Sequence, residues 1–283
     1  MRLVNQKNGG RFIARETGAE EARFPNLLFV DTRVYIGEDS LSYIVGQNVK
    51  DNSRRVWCSH VRVDKKGNMY ARFWETVAFV AWRKYFKHPK DTSYGIDQFD
   101  DYPKGTTCFF ITKAILSDAN SWFRENTKDL KTSNDDTLLL RYIARTNSIN
   151  ISPQFWCLYH ARSTLKQYSK HVIHRGKVFV DGFLRNDGNR FFIPLIFFLL
   201  LSVVIVIGVA LNPSIFPALA VFALIGWLLE LFAMLVLGVP QKDALATFVL
   251  SPIFAICYGL GIWSAFIKIY INNRIKTRLR PTR

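Results

Sequence analysis

From Phe191 onward the chain is almost uniformly apolar, whereas the residues before it alternate short apolar runs with charged turns. Three apolar runs fill the final third: Phe191–Leu211, Ile215–Leu237 and Ala244–Ile271. They are separated by Asn212-Pro213-Ser214 and by Gly238-Val239-Pro240-Gln241-Lys242-Asp243. At 1.5 Å per residue the first run reaches roughly 31 Å, the thickness of a hydrocarbon core. The third is interrupted by Pro252 and by Gly259 and Gly261. Cations flanking spans tend to stay inside, which puts Arg185, Arg190 and Lys242 on the cytoplasmic side. Three full spans would then carry Lys268, Arg274, Lys276, Arg278, Arg280 and Arg283 outside, against the same rule. Either the third run is a re-entrant or interfacial helix pair bent at Pro252 or Gly259, which is the preferred reading, or a translocated basic tail is tolerated. Glu230, inside the second run, is either a functional or pairing group or a carboxyl facing the helix bundle.

The first 190 residues have shorter periods. Arg11 to Arg23 mixes Phe12, Ile13, Ala14, Ala19 and Ala22 with many charges and predicts a helix. Leu27-Leu28-Phe29-Val30 is a short apolar run ending at Asp31, the pattern of a buried strand in an α/β sheet. Ligands in such sheets sit at the carboxyl ends of strands, which is where Asp31 falls. Val56–Val63 alternates and predicts a second strand, with Asp64-Lys65-Lys66-Gly67-Asn68 as its turn. Phe73–Phe86 carries an aromatic face with basic flanks, which suits an interfacial helix and a core helix about equally. Lys104 to Ile111 reads as a glycine turn into a strand, followed by a helix over Ala114–Arg124.

Composition narrows the class. The chain of 283 residues has 38 Lys and Arg against 22 Asp and Glu, a net charge of +16, with a mean hydropathy of +0.05. Both parts are basic: 31 against 20 up to residue 190, and seven against two beyond it. No zinc-ligand spacing, RNP-like motif or basic helix with heptads accompanies the charge, so nucleic acid is not the expected partner. An anionic membrane surface explains it more simply. Cys58, Cys108, Cys157 and Cys257 lack CxxC spacing and read as reduced, packed thiols. The polar start, Met1 to Arg15, is not a signal peptide, so the globular part is expected to stay where it is made.

The segment Ser133-Asn134-Asp135-Asp136-Thr137-Leu138-Leu139-Leu140-Arg141 places two adjacent carboxylates at the start of an amphipathic helix. Taken alone, such residues are helix caps: Asn134 or Asp135 accepting a backbone N–H, Asp136 favouring the positive end of the dipole. What precedes and follows them supports a second reading, that of a general base.

Taken in order, Gly10…Ala14-Arg15-Glu16-Thr17-Gly18, Val30-Asp31-Thr32-Arg33, Gly105-Thr106-Thr107, Asn134-Asp135-Asp136 and Lys170-His171…Arg175-Gly176, followed by spanning helices, resemble the bacterial family 2 glycosyltransferases. The resemblance covers nearly all of residues 1–190. It implies an α/β fold: a partial GT-A (nucleotide-diphospho-sugar transferase) domain over residues 1–188, followed by an all-α transmembrane region over 189–272 and a basic tail, 273–283. It also implies inverting transfer from a nucleotide-diphospho-sugar donor to a lipid-linked or cell-envelope glycan acceptor. Asp31 matches the first carboxylate of the family's Asp-x-Asp motif, which binds the diphosphate through a divalent cation, Mg or Mn. Arg33 replaces the second Asp and would contact phosphate directly. Asp136 matches the general base, and Asp135 keeps the capping role beside the substrate. His171 stands in place of Gln and Arg175 is retained in the family's Gln-x-x-Arg-Trp region, with Gly176 replacing Trp; Arg175 would contact the diphosphate or close the site. His160, just upstream, is read as structural. Family members place a strand, a helix and a second strand before the Gly…Ala-Arg-x-x-Gly helix, and this chain reaches that helix almost at once. The expectation is an N-terminally incomplete catalytic domain: truncated, completed by a separate chain that supplies the missing strands, or inactive and serving as a membrane-tethered binding module.

Overall fold

The computed structural model describes residues 2–184 and 189–278. Arg185, one of the cations expected to flank the first span, lies outside the described residues, as do Arg280 and Arg283 and the side chains of Arg274, Lys276 and Arg278. The chain divides into two units, one of residues 1–71 and 77–161, the other of residues 72–76 and 162–283.

The first unit is built on a mixed six-stranded sheet. Its strands are β1 (Asn26–Val30), β2 (Val34–Ile36), β3 (Val56–Val63), β4 (Thr92–Tyr94), β5 (Cys108–Thr112) and β6 (Ile149–Tyr159). They run in the order β1-β5-β3-β6-β2, with β4 against the start of β6. Only β3 and β6 are parallel; every other pairing is antiparallel. Helices α1 (Arg11–Glu20), α2 (Ser40–Lys50), α5 (Lys113–Asn126) and α6 (Asp135–Ile143) cover the sheet.

Alternation along each strand feeds two cores. Val56 and Cys58 of β3 and Phe109 and Ile111 of β5 face one side, where Phe12 of α1, Leu116 and Phe123 of α5 and Leu138 and Leu140 of α6 close over them. Trp57, Cys108, Phe110, Phe155 and Cys157 face the other side and meet Ile44 of α2. Both faces are therefore buried, which explains the continuous apolar runs. The expectation of a buried strand holds only in part for β1: among the described residues it pairs with β5 alone, at the edge of the sheet, and its Val30 is 44% exposed.

Strand β6 was not legible because Pro153 interrupts its pattern. The β3–β6 register jumps from Ser59↔Ser152 to His60↔Trp156, so Pro153 falls in a bulge, where a missing N–H removes no ladder bond. The aromatic stretch after residue 69 also divides. Helix α3 (Met69–Ala81) starts at Asn68, whose Oδ1 accepts from the N–H groups of Tyr70 and Ala71, and ends at Trp82, before the short α4 (Arg83–Phe86). Phe73 and Trp74 make edge-on and tilted ring contacts with Tyr168 and Phe254 within the second unit, while Tyr85 joins the first core.

The second unit contains α7 (Leu165–Phe183), α8 (Phe192–Leu211), α9 (Phe216–Val236) and α10 (Gln241–Arg278). Three of its segments are long and apolar enough to cross a membrane: Phe192–Leu211, Pro213–Val236 and Gln241–Ile269, with mean hydropathies of 3.1, 2.4 and 2.0. Only 11% and 6% of the first two are buried, so their apolar faces look outward, as lipid solvation requires.

The break expected at Pro252 is absent; α10 is one helix through Pro252, Gly259 and Gly261. Proline cannot donate to the carbonyl of Phe248 one turn earlier. That oxygen instead accepts from the indole Nε1–H of Trp227 on α9 at 2.8 Å and from the Ser251 hydroxyl at 3.2 Å, and the Trp227 and Phe248 rings stack at 4.4 Å. The glycines also serve packing: a Cβ on Gly261 would overlap the Ile173 carbonyl, and one on Gly176 the Tyr258 carbonyl. Near the start of α10, buried Asp243 receives Arg72 at 2.6 Å.

Candidate functional site

Two separate elements of the first unit deliver three carboxylates to one guanidinium carried by a third. Helix α1 begins at Gly10, whose φ of 94° suits glycine and where any Cβ would overlap the Lys131 backbone. Arg11 and Arg15 then lie four residues apart on one face, beside the buried Phe12 and Ala19. Strand β1 ends at Val30 and hands on Asp31, whose N–H still bonds the Thr107 carbonyl at 2.9 Å. Helix α6 supplies the remaining two carboxylates in its first turn.

The start of α6 corrects the capping assignment. Asn134 is the cap, its Oδ1 accepting from Thr137 N–H at 3.0 Å, which leaves both aspartates free for other partners. Asp135, 2% exposed, accepts from Arg11 Nη2 and Arg15 Nη1, each at 2.9 Å. Asp136, 28% exposed, accepts at Oδ1 from Arg15 Nη1 at 2.7 Å and from the Thr106 hydroxyl. Its Oδ2 accepts no hydrogen bond among the described residues, and Arg11 Nη1 stands 3.9 Å from it. Arg15 Nη2 also reaches Asp31 Oδ1 at 3.3 Å.

Electrostatics separate the two neighbouring acids. Burial, and then the charge of Asp136, push Asp135 up to about 6. Burial also pulls Asp136 upward, but Arg15, Arg11 and the Thr106 hydroxyl outweigh it and hold the group below its ordinary value. Burial raises Asp31 against the opposing pull of Arg15. Burial lowers the Arg15 guanidinium, but the three carboxylates overcome that and raise it, so its charge is permanent. Behind these groups, Phe12, Thr106, Asn120 and Leu139 line a cavity of about 20 Å³, room for a single water and not for a nucleotide.

Asp31, Asp135 and Asp136 are thus brought together as the motif order implies. Arg33 is exposed two residues past Asp31, its backbone carbonyl accepting from His160 N–H at 2.9 Å. His160 Nδ1 lies 3.2 Å from an Asp64 oxygen, a structural partner. His171 and Arg175 belong to the second unit, where both address Trp74: the His171 ring at 5.1 Å and the Arg175 guanidinium over the indole at 5.4 Å. The sequence reading did not give Arg11, Arg15 and Thr106 roles, although the four-residue spacing of the two arginines was a visible signal.

A divalent cation fits this arrangement poorly. The place between Asp31 and Asp136 is taken by the Arg15 guanidinium, Arg33 stands where a second ligand is expected, and among the described residues no group of three or more His, Cys, Asp and Glu side chains is arranged to hold a metal ion. No family model matches the chain, and no curated protein matches it.

Proposed function

We propose that the chain is a membrane-anchored, inverting glycosyltransferase of the GT-A type, or the C-terminal half of one, and that Asp136 is its general base. The observation that carries the reading is the Oδ2 atom of Asp136. It is the uncommitted oxygen of the more exposed of two adjacent carboxylates, ionised beside Arg15, in the unit that also brings Asp31 to the end of β1. In this reaction the acceptor hydroxyl loses its proton to Asp136 as its oxygen attacks the anomeric carbon. The bond to the nucleoside diphosphate breaks with its electron pair, and the configuration inverts. A single base suffices for such an in-line displacement. Asp31 orients Arg15, and Arg33 and Arg11 are the cationic groups assigned to the phosphates.

The acceptor is a lipid-linked or cell-envelope glycan, because the helices able to cross a membrane keep the chain at a bilayer. The tendency of span-flanking cations such as Arg190 and Lys242 to stay inside supports a cytoplasmic catalytic unit. Asp136→Asn is expected to lower sugar transfer in a reconstituted membrane assay by about 10²- to 10⁴-fold, the usual contribution of a positioned base. Unchanged transfer would remove Asp136 from this role.

A second reading is supported by the edge of the sheet. The outer side of β1 is unpaired and faces a groove of about 790 Å³ lined by Ala19, Ala22, Phe24, Leu27 and Phe29. Such an edge accepts another strand, which favours a split enzyme whose nucleoside-binding strands come from a separate chain. Turnover of a nucleotide-sugar by the purified chain alone would rule this version out.

A further inference from the structure

Two guanidiniums already face the three carboxylates of this site and offset all but one of their formal negative charges. Three carboxylates, one just past β1 and two on α6, converge on the Arg15 guanidinium, and among the described residues the only other cation bonded to them is Arg11, one turn earlier on the same helix. Arg15 is 18% exposed and is held by three carboxylate acceptors, two at Nη1 and one at Nη2. A dication bridging Asp31 and Asp136 would have to displace it, breaking those ion pairs and stranding a guanidinium in a largely buried position. Both arginines retain N–H groups that no described residue uses, since each guanidinium carries five donors.

We propose that Arg15 is the resident cation of this site, so that the chain binds a nucleoside diphosphate through the unused N–H groups of Arg15 and Arg11 without a divalent metal. The ligand half of this proposal rests on the glycosyltransfer reading; the cation half does not. Guanidinium groups suit the task, because their planar donor fork pairs bidentately with phosphate oxygens and keeps its charge at any working pH.

The two halves are tested separately on the full chain in detergent. Paramagnetic resonance of Mn²⁺ alone reads the cation half. The unsubstituted chain and Arg15→Lys are expected to leave Mn²⁺ free up to millimolar concentrations. Arg15→Gln, with folding checked by circular dichroism, uncovers the carboxylates and is expected to bind Mn²⁺ at least about tenfold more tightly. Adding Asp31→Asn to it should remove that gain. Saturable Mn²⁺ binding by the unsubstituted chain that Asp31→Asn abolishes would overturn the proposal, as would a folded Arg15→Gln chain that gains no binding. Calorimetric titration with uridine diphosphate reads the ligand half. Equal affinity in EDTA and in Mn²⁺ is expected; affinity lost in EDTA and restored by Mn²⁺ would overturn it. No binding in either buffer would overturn the choice of ligand and, with it, weaken the glycosyltransfer reading, while the Mn²⁺ result still decides the cation half.

Discussion

Asp135 and Asp136 are adjacent, chemically identical and oppositely tuned. Asp135 is sealed from solvent, and burial raises it to about 6 from an ordinary 3.8; Asp136 keeps one oxygen open and is held low. The signs have separate consequences for stability. A carboxyl raised in the folded state contributes fully below its unfolded value and loses that contribution as pH rises through its folded value, here between about 4 and about 6. Asp136 works the other way, its contribution present above the ordinary value and lost as pH falls. Asp135→Asn mimics the protonated form, so its melting temperature relative to the unsubstituted chain is expected to climb between pH 4 and pH 6.5. A difference that stays level over that range would show that Asp135 is ionised throughout. The sequence pointed to both aspartates but not to this division of labour, because a fold is needed to decide which side chain Arg11 and Arg15 cover. The cap, too, was legible only as a choice between Asn134 and Asp135.

At the scale of elements, regular patterns were readable and irregular ones were not. Strand β3 has the bounds its alternation predicts, β1 and β5 follow their apolar runs, and α1, α5 and α6 begin where charge and periodicity place them. Strand β6 escaped because Pro153 argues against a central strand unless a bulge accommodates it, and the bulge depends on β3, some ninety residues away in sequence. The same logic reversed the expectation for α10. Proline and paired glycines signal a break in isolation, yet Trp227 replaces the lost donor to the Phe248 carbonyl and Gly261 admits α7. Trp227→Phe keeps the ring stack but withdraws the N–H. It is expected to cost about 1 kcal/mol of stability and to bend α10 at Pro252. Unfolding in a graded denaturing detergent measures the first effect, and spin-label distances across residue 252 the second. A variant unchanged in both would mean that the helix holds itself straight.

The whole molecule has a polar, mixed-sheet part and a part made for lipid, a division the hydropathy pattern already drew near residue 190. Less legible was the count of spans, because the basic tail and Pro252 both argued against a third crossing, and α10 runs unbroken past Ile269. With three crossings, Lys242 shares a side with Arg190, and the Asn212 turn and the chain's end lie opposite. In a cysteine-free background, Lys242→Cys in inside-out vesicles is expected to react with a membrane-impermeant maleimide and Asn212→Cys to be protected. The reverse pattern would invert the orientation.

The carbonyl-to-glycine packing of α7 on α10 also constrains the order of biosynthesis. Helix α7 is synthesised before α8, α9 and α10, yet the surface that receives Gly176 lies on α10. As the ribosome proceeds, α7 must wait through the insertion of two hydrophobic helices with its apolar stripe uncovered. The second unit therefore closes only when translation of α10 is nearly done, and a nascent chain stopped after α9 is expected to hold α7 on a chaperone or on the membrane surface.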